Sequence, residues 1–317
     1  FFKHLIYVLI GISLIFIFSS LNSDQLYKYS IILFFISLIS LFLVPFIGVE
    51  VKGSKRWIDL FFLPRFQPIE VLKPFLIIIL ATILCDIKSN ILFKYLISIF
   101  LISFISLLLI AQPDIGQTLL VIFCWAVLIF TSGINIYILL AIFIAGASLL
   151  TYLIIYVPRF DYIQGRIFSF FNRETGTHNF QSDKAIESIT SGGFFGKGIG
   201  EGVLKNRVPE AHTDYIISVI SEEFGVVAIM LILLLFLILI YMVFKKISFE
   251  TNDKVKLILI GSISLILMQA TIHVGVNIRL FPTTGMTLPF LSYGGSSIIS
   301  TSILGGIILN LTKRKIT

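Results

Sequence analysis

The sequence predicts an all-α fold, a polytopic membrane helix bundle, and three observations carry that prediction. Hydrophobic residues fill 57% of the 317 positions and charged residues only 13%, and the mean hydropathy is +1.03. No water-soluble fold buries that much apolar surface. The apolar residues fall in stretches of about 20, the length that crosses a hydrocarbon layer of ~30 Å. Lipid cannot satisfy exposed backbone groups and no ten-residue alternating pattern suggests a barrel, so the stretches are read as helices.

Nine stretches qualify or nearly so: 4–20, 27–48, 69–87, 92–111, 116–132, 134–157, 213–244, 255–279 and 287–311. The first has no cleavage-site pattern after it and reads as a span rather than a signal peptide. The third opens on Gln67-Pro68, with proline in the first turn, where its missing N–H costs nothing. Gln112-Pro113-Asp114-Ile115-Gly116 joins the fourth to the fifth, and Asp114 is placed to cap the fifth. Only Gly133 separates the fifth from the sixth, so that turn must be tight. Residues 158–212 form a long polar connection, and so long a structureless segment is usually functional. Pro209 can start a turn and Thr213 can cap the seventh helix, which places Asp214 in its first turn. In the ninth, Pro289 followed by Gly294-Gly295 implies a broken helix, tolerated only where it packs in protein or lines a cavity. Residues 1–317 read as one integral membrane domain, with 158–212 a large extracytoplasmic loop within it. No internal repeat is visible, which weighs against inverted-repeat transporters.

Orientation comes from the short loops. Those carrying Lys88, Lys94, Lys245, Lys246 and the terminal Lys313-Arg314-Lys315 are rich in Lys and poor in acids, so they are assigned to the cytoplasm with the C-terminus. The opposite side holds more Lys and Arg by raw count. Seven of them lie in the 158–212 loop and are discounted, because long segments translocate largely regardless of charge. The loops 49–68, 112–115, 158–212 and 280–286 are then external.

Most of the polar clusters lie on that external side. Lys55 and Arg56, with Lys73 and the helix start at Gln67-Pro68, make a cationic patch suited to a phosphate-bearing ligand. Glu70 and Lys73 are i and i+3, side by side on one helix face. In the long loop, residues 191–202 hold six glycines, which allow tight turns and close backbone approach to a ligand, and basic residues surround them. The Walker spacing is absent. On the seventh helix Ser218 and Glu222 stack beneath Asp214, with Ser221 alongside. A carboxylate that deep must face protein or a water-filled cavity. Cys85, Cys124 and four scattered histidines lack metal-ligand spacing, so no metal site is assigned and nothing suggests a nucleic-acid partner.

Five motifs then carry a resemblance. They are Gly53-Ser54-Lys55-Arg56-Trp57, Gln67-Pro68-Ile69-Glu70, Gln112-Pro113-Asp114-Ile115-Gly116, Pro209-Glu210-Ala211-His212-Thr213-Asp214 with Glu222-Glu223-Phe224-Gly225, and Leu288-Pro289-Phe290-Leu291-Ser292-Tyr293-Gly294-Gly295-Ser296-Ser297. In this order, across nearly the whole chain, they resemble the SEDS family of bacterial shape and division proteins (FtsW/RodA/SpoVE). Gly200-Glu201-Gly202-Val203-Leu204-Lys205 and Thr284-Gly285-Met286-Thr287-Leu288-Pro289 look more like its division branch than its elongation branch. The family has ten spans; the residues here resemble its second onward, so the first is expected to be missing. Departures from the family pattern are Ile69 in place of Ser, Tyr215 in place of Phe, and Asn179-Phe180-Gln181 in place of a Gly-Tyr-Gln pattern.

The resemblance implies a peptidoglycan glycosyltransferase of the bacterial cytoplasmic membrane, polymerising lipid II at its outer face during cell division. Asp214 is implied as general base, since partial desolvation at the membrane surface raises a carboxyl pKa toward a useful value. Lys55, Arg56 and Lys73, with Lys197 and Lys205, are implied to hold the diphosphates. No cofactor is required, and a divalent cation, Mg or Mn, can accompany the pyrophosphate. Gln67, Glu70, Glu210, His212 and Ser292 are implied to line or orient the site. The implied partners are lipid II, the nascent glycan strand, membrane lipid, a class B penicillin-binding protein and other divisome proteins. Two rivals use the same residues: a flippase moving the lipid-linked precursor without chemistry, and a scaffold that recruits a division synthase. An elongation-type role is the alternative within the family.

Overall fold

A computed structural model of the chain describes residues 2–51, 53–60, 63–86, 90–171 and 177–313. Its helices are α1 (Phe2–Ser20), α2 (Ser23–Ile47), α3 (Pro68–Leu84), α4 (Ile91–Ala111), α5 (Ile115–Thr131), α6 (Ile136–Tyr156), α7 (Asp161–Phe171), α8 (Thr177–Gly192), α9 (Ile216–Phe249), α10 (Asp253–Asn277) and α11 (Gly295–Thr312). Every predicted stretch has its helix. Among the described residues six helices, α2, α4, α6, α9, α10 and α11, are long and apolar enough to cross a bilayer; α1 and α5 contain shorter apolar helices.

Four features differ from the sequence reading. A small antiparallel sheet, β1 (Val49–Val51), β2 (Ser54–Leu60) and β3 (Leu63–Phe66), interrupts the all-α expectation, in the order β1-β2-β3. Glu50 pairs with Lys55 and Ile58 with Phe66. The β-branched Val49, Val51 and Ile58 favour this pairing, but strands this short leave little periodicity beside two long apolar runs. Residues 158–212 are also no structureless loop, since they contain α7, α8 and single 3-10 turns at Pro158–Phe160 and Leu204–Arg207. The last helix begins at Gly295 rather than at residue 287. Finally, α9 is broken at Gly225, whose φ of 76° and ψ of −177° are non-helical.

The chain divides into two compact units. The first comprises Phe1–Ser132, Ile238–Met268 and Pro289–Thr317. Here α3 is buried along nearly its whole length, packed by α2, α4, α5 and α11. A helix apolar on all sides has no solvent face, so its polar residues must be paired inside the protein. Helix α1 lies along α11, where a Cβ on Gly11 would stand 2.6 Å from Ser302 Oγ. Asn310 of α11 donates to the carbonyls of Phe18, Ser19 and Leu21 and so satisfies the open C-terminal end of α1.

The second unit comprises Gly133–Leu237 and Gln269–Leu288. Ile217, Ala270 and Leu288 form a buried apolar cluster, joined by Ile189, Ile216, Ile229, Phe236 and Val274. That cluster ties the start of α9, the end of α10 and the extended residues before Pro289 into one body.

Candidate functional site

In the second unit Asp214 precedes α9 rather than lying in its first turn. Its N–H donates to the Glu210 carbonyl, as does that of Thr213, in a turn where Glu210 takes a left-handed φ of 57°. The Thr213 hydroxyl also donates to the Glu210 carboxylate at 3.1 Å. Thr213 therefore closes the turn instead of capping the helix. The Asp214 carbonyl accepts from the Asn277 amide at 3.1 Å, and that amide also bonds the His273 carbonyl. The backbone of Asp214 is thus held from α10, and its half-buried carboxylate lies beside Gly285, where a Cβ would stand 3.7 Å from Oδ2.

Asn277 is the last of three polar residues at four-residue spacing on α10, all buried. Gln269 donates to the Thr287 carbonyl and hydroxyl, and His273 Nδ1 meets the Met286 carbonyl at 2.8 Å. A carbonyl can only accept, so Nδ1 carries the proton. This ladder fixes the extended 285–288 stretch and the Asp214 turn against one helix face. Buried Tyr215, next to Asp214, points its hydroxyl at Ser182 of α8, 3.4 Å away, and burial pushes that hydroxyl's pKa up.

Glu222 is fully buried and enclosed by protein. Its carboxylate accepts from the Ser188 hydroxyl of α8 at 3.0 Å and from the Leu204 N–H at 2.9 Å, with Lys197 Nζ at 3.5 Å. Ser188 also bonds the Ser218 carbonyl. The stripe Ser218, Ser221 and Glu222 is therefore buried, as its helical spacing predicts, and Glu222 pairs with Lys197 of the glycine-rich segment.

The first unit holds a second constellation. Lys73 Nζ lies 2.9 Å from Glu70 and donates to Gln117 at 3.0 Å, and Gln117 donates back to Glu70 at 2.6 Å, which closes a triangle inside the protein. The side chain of Lys73 is 0% exposed. It neither snorkels nor presents an open ammonium as a phosphate contact requires. Asp114 caps α5 through the Gln117 N–H and accepts from Gln67 at 2.8 Å. Burial pushes its carboxyl pKa up, while Arg56 nearby and the Gln117 N–H pull it down. Arg56 bonds the carbonyls of Gln112 and Pro113. Lys55 is exposed on β2, and Ser292 is buried.

The structure thus gathers Arg56, Gln67, Glu70, Lys73, Asp114 and Gln117 in one unit. In the other it gathers Glu210, Asp214, Asn277 and Gly285, with Lys197 on the Glu222 side chain and His212 exposed. The side chain of Lys205 lies outside the described residues.

Comparison with known proteins follows the same path. The family model for FtsW/RodA/SpoVE, described as a cell cycle protein, matches residues 1–316. The chain belongs to that family. A relative from Caulobacter vibrioides, "Probable peptidoglycan glycosyltransferase FtsW", is 34% identical over 86% of this chain and 69% of its own. One of the same name from Coxiella burnetii is 33% identical over 98% and 86%. Among solved structures, a chain of a peptidoglycan synthase complex that coordinates polymerization and crosslinking superposes with a TM-score of 0.82 at 27% identity, covering 98% of this chain and 88% of that one. The rod shape determining protein RodA of Thermus thermophilus gives 0.72 at 28% identity, covering 98% and 86%.

Within this FtsW/RodA/SpoVE chain, sequence reasoning missed Gln117, Gln269, His273 and Asn277. The signal was available. Polar residues inside apolar spans are costly, and three of these recur every four residues, so they share one face.

Proposed function

We propose that the chain is a peptidoglycan glycosyltransferase that polymerises lipid II at the outer face of the cytoplasmic membrane during cell division, with Asp214 as its general base. The observation that carries the role of Asp214 is its setting. The turn from Glu210 and the Asn277 amide hold its backbone, while its half-buried carboxylate sits beside a glycine. Similarity over nearly the whole chain to relatives named as peptidoglycan glycosyltransferases supports the reaction class.

In the proposed step the carboxylate of Asp214 takes the proton of an acceptor sugar hydroxyl as that oxygen attacks the anomeric carbon of the donor. The bond from that carbon to the diphosphate breaks, and undecaprenyl diphosphate leaves. One displacement with no covalent sugar intermediate inverts the anomeric carbon. Lys55, Arg56, Gln67, Glu70, Lys73 and Ser292 of the first unit, and Lys197, Lys205, Glu210 and His212 of the second, are proposed to bind or orient lipid II. Lys73 acts by holding Glu70 and Gln117 in place. Any Mg or Mn ion is assigned to the diphosphate, as part of the substrate.

We further propose that α1 to α6, α9, α10 and α11 all cross the membrane as one integral domain. The C-terminus is then cytoplasmic, and 158–212 is extracytoplasmic. The peptidoglycan synthase complex among the structural neighbours supports a transpeptidase partner of the penicillin-binding class, alongside other divisome proteins.

The test is polymerisation of labelled lipid II by the purified protein in vesicles, read as glycan polymer on a gel. Asp214→Asn should cut the rate on the order of 10²- to 10⁴-fold. The Asn277 bond to the backbone carbonyl should persist in this variant. Full polymerisation by Asp214→Asn would remove the base assignment. Lipid movement across the bilayer without any polymer would replace a transferase with a flippase.

A further inference from the structure

The glycine-rich segment between α8 and the 3-10 turn at Leu204–Arg207 completes a helix from outside it. At Gly225 the α9 ladder breaks, and the N–H groups beyond the break need other partners. Val226 donates to the Gly193 carbonyl at 3.0 Å and Val227 to that of Phe194 at 3.2 Å. In return the N–H of Lys197 bonds the Glu222 carbonyl at 2.9 Å and that of Gly198 bonds Glu223 at 3.0 Å. Side chains are excluded at this seam. A Cβ on Gly225 would stand 2.2 Å from the Phe194 carbonyl oxygen, and one on Gly196 would stand 2.2 Å from that of Glu223. Both have positive φ, 76° and 78°.

With its backbone bonded to the helix, the segment turns its apolar side chains outward. Phe194 is 75% exposed, Phe195 84%, Ile199 79% and Val203 61%. The neighbouring apolar residues of α9 are exposed as well, including Phe224, Val226 and Val227 just at the break and Met230 a turn further on. The surface is continuous with the face of a helix whose length and composition suit a membrane span.

The level of the break follows from counting. Between Gly225 and the Lys245-Lys246 pair lie 19 residues without a charge, Val226 to Phe244. At ~1.5 Å per residue they span roughly 28 Å, close to one hydrocarbon thickness. With the lysines at one interface, Gly225 and the segment bonded to it fall at the other. Non-helical backbone is tolerated at that depth only when its polar groups are satisfied by protein, which the exchange with α9 provides.

We infer that the 193–203 segment is a membrane-inserted wedge whose Phe194, Phe195 and Ile199 are buried among lipid at the interface. Its partner is the bilayer itself. The inference rests on α9 crossing the membrane and is independent of the role of Asp214.

Phe195→Trp, which keeps an aromatic side chain at an exposed position, tests it in the full chain reconstituted in phosphatidylglycerol and phosphatidylethanolamine vesicles. The unmodified protein gives the background from Trp57 and Trp125. The added tryptophan should lose most of its emission to lipids brominated on the acyl chain and little to aqueous acrylamide. Acrylamide access with no bromolipid quenching would overturn the proposal, and so would protection that appears only when a partner protein is added. Adding Gly196→Ala should reverse the pattern by lifting the segment off α9. Bromolipid quenching that survives this change would overturn the role of the α9 seam. Quenching reads no turnover, so failure of the glycosyltransferase assignment would leave this outcome unchanged.

Discussion

At the scale of single residues, the two constellations solve the same problem, a polar group inside apolar surroundings, in different ways. Lys73 and Glu70 neutralise each other and share Gln117, so removing one partner leaves an uncompensated buried charge. Lys73→Ala should destabilise the protein by about 3–5 kcal/mol, read as a lower thermal midpoint in detergent. Lys73→Met with Glu70→Gln should recover much of that loss. Asn277 acts instead on geometry, holding the Asp214 carbonyl from the neighbouring helix. Asn277→Leu should reduce turnover by up to ~10²-fold, the scale of a small misplacement of a catalytic group, while lipid II KM stays near its original value. A purely structural role would lower the thermal midpoint without that split between kcat and KM.

Among the elements, α9 depends most on the rest of the chain. Its first two turns carry Glu222, which binds α8 and Leu204, and its break at Gly225 is filled by the 193–198 backbone. Gly225→Ala forces a side chain into a conformation that L residues avoid and into the Phe194 carbonyl, at a cost of about 1–3 kcal/mol or more. The measured consequence should be faster protease cleavage within 193–203, with the rest of the chain still resistant. Helix α3 behaves oppositely. It is buried along its length, begins on proline as its sequence predicts, and carries the polar triangle with α5.

For the molecule as a whole, charge distribution sets the topology to be tested. With Cys85 and Cys124 replaced, a cysteine introduced at Lys55 or His212 should react with an impermeant thiol reagent on intact cells. One at Asn252, in the connection between α9 and α10, should react only after permeabilisation. Reversed labelling would overturn the assignment of 158–212 to the outside and move the proposed chemistry to the other membrane face.

Nine long apolar helices, most of their ends and the family were legible from the residues alone, and so was the carboxylate proposed as the base. Each depends on local signals: an apolar run long enough for a bilayer, a proline or aspartate at a helix start, a motif in order. The i, i+3 pairing of Glu70 with Lys73 and the capping by Asp114 were legible for the same reason. The rest was fixed by contacts between residues distant along the chain. Hydropathy could not show that Lys73 is enclosed rather than open to solvent, because burial of a helix face is a property of its neighbours. It could not show that Gln269, His273 and Asn277 hold residues 286–287 and Asp214, since a polar residue in a span announces a partner without naming it. Nor could six glycines reveal that their backbone completes a helix broken more than 20 residues later. Hydrogen bonds between remote backbones leave no side-chain pattern to read.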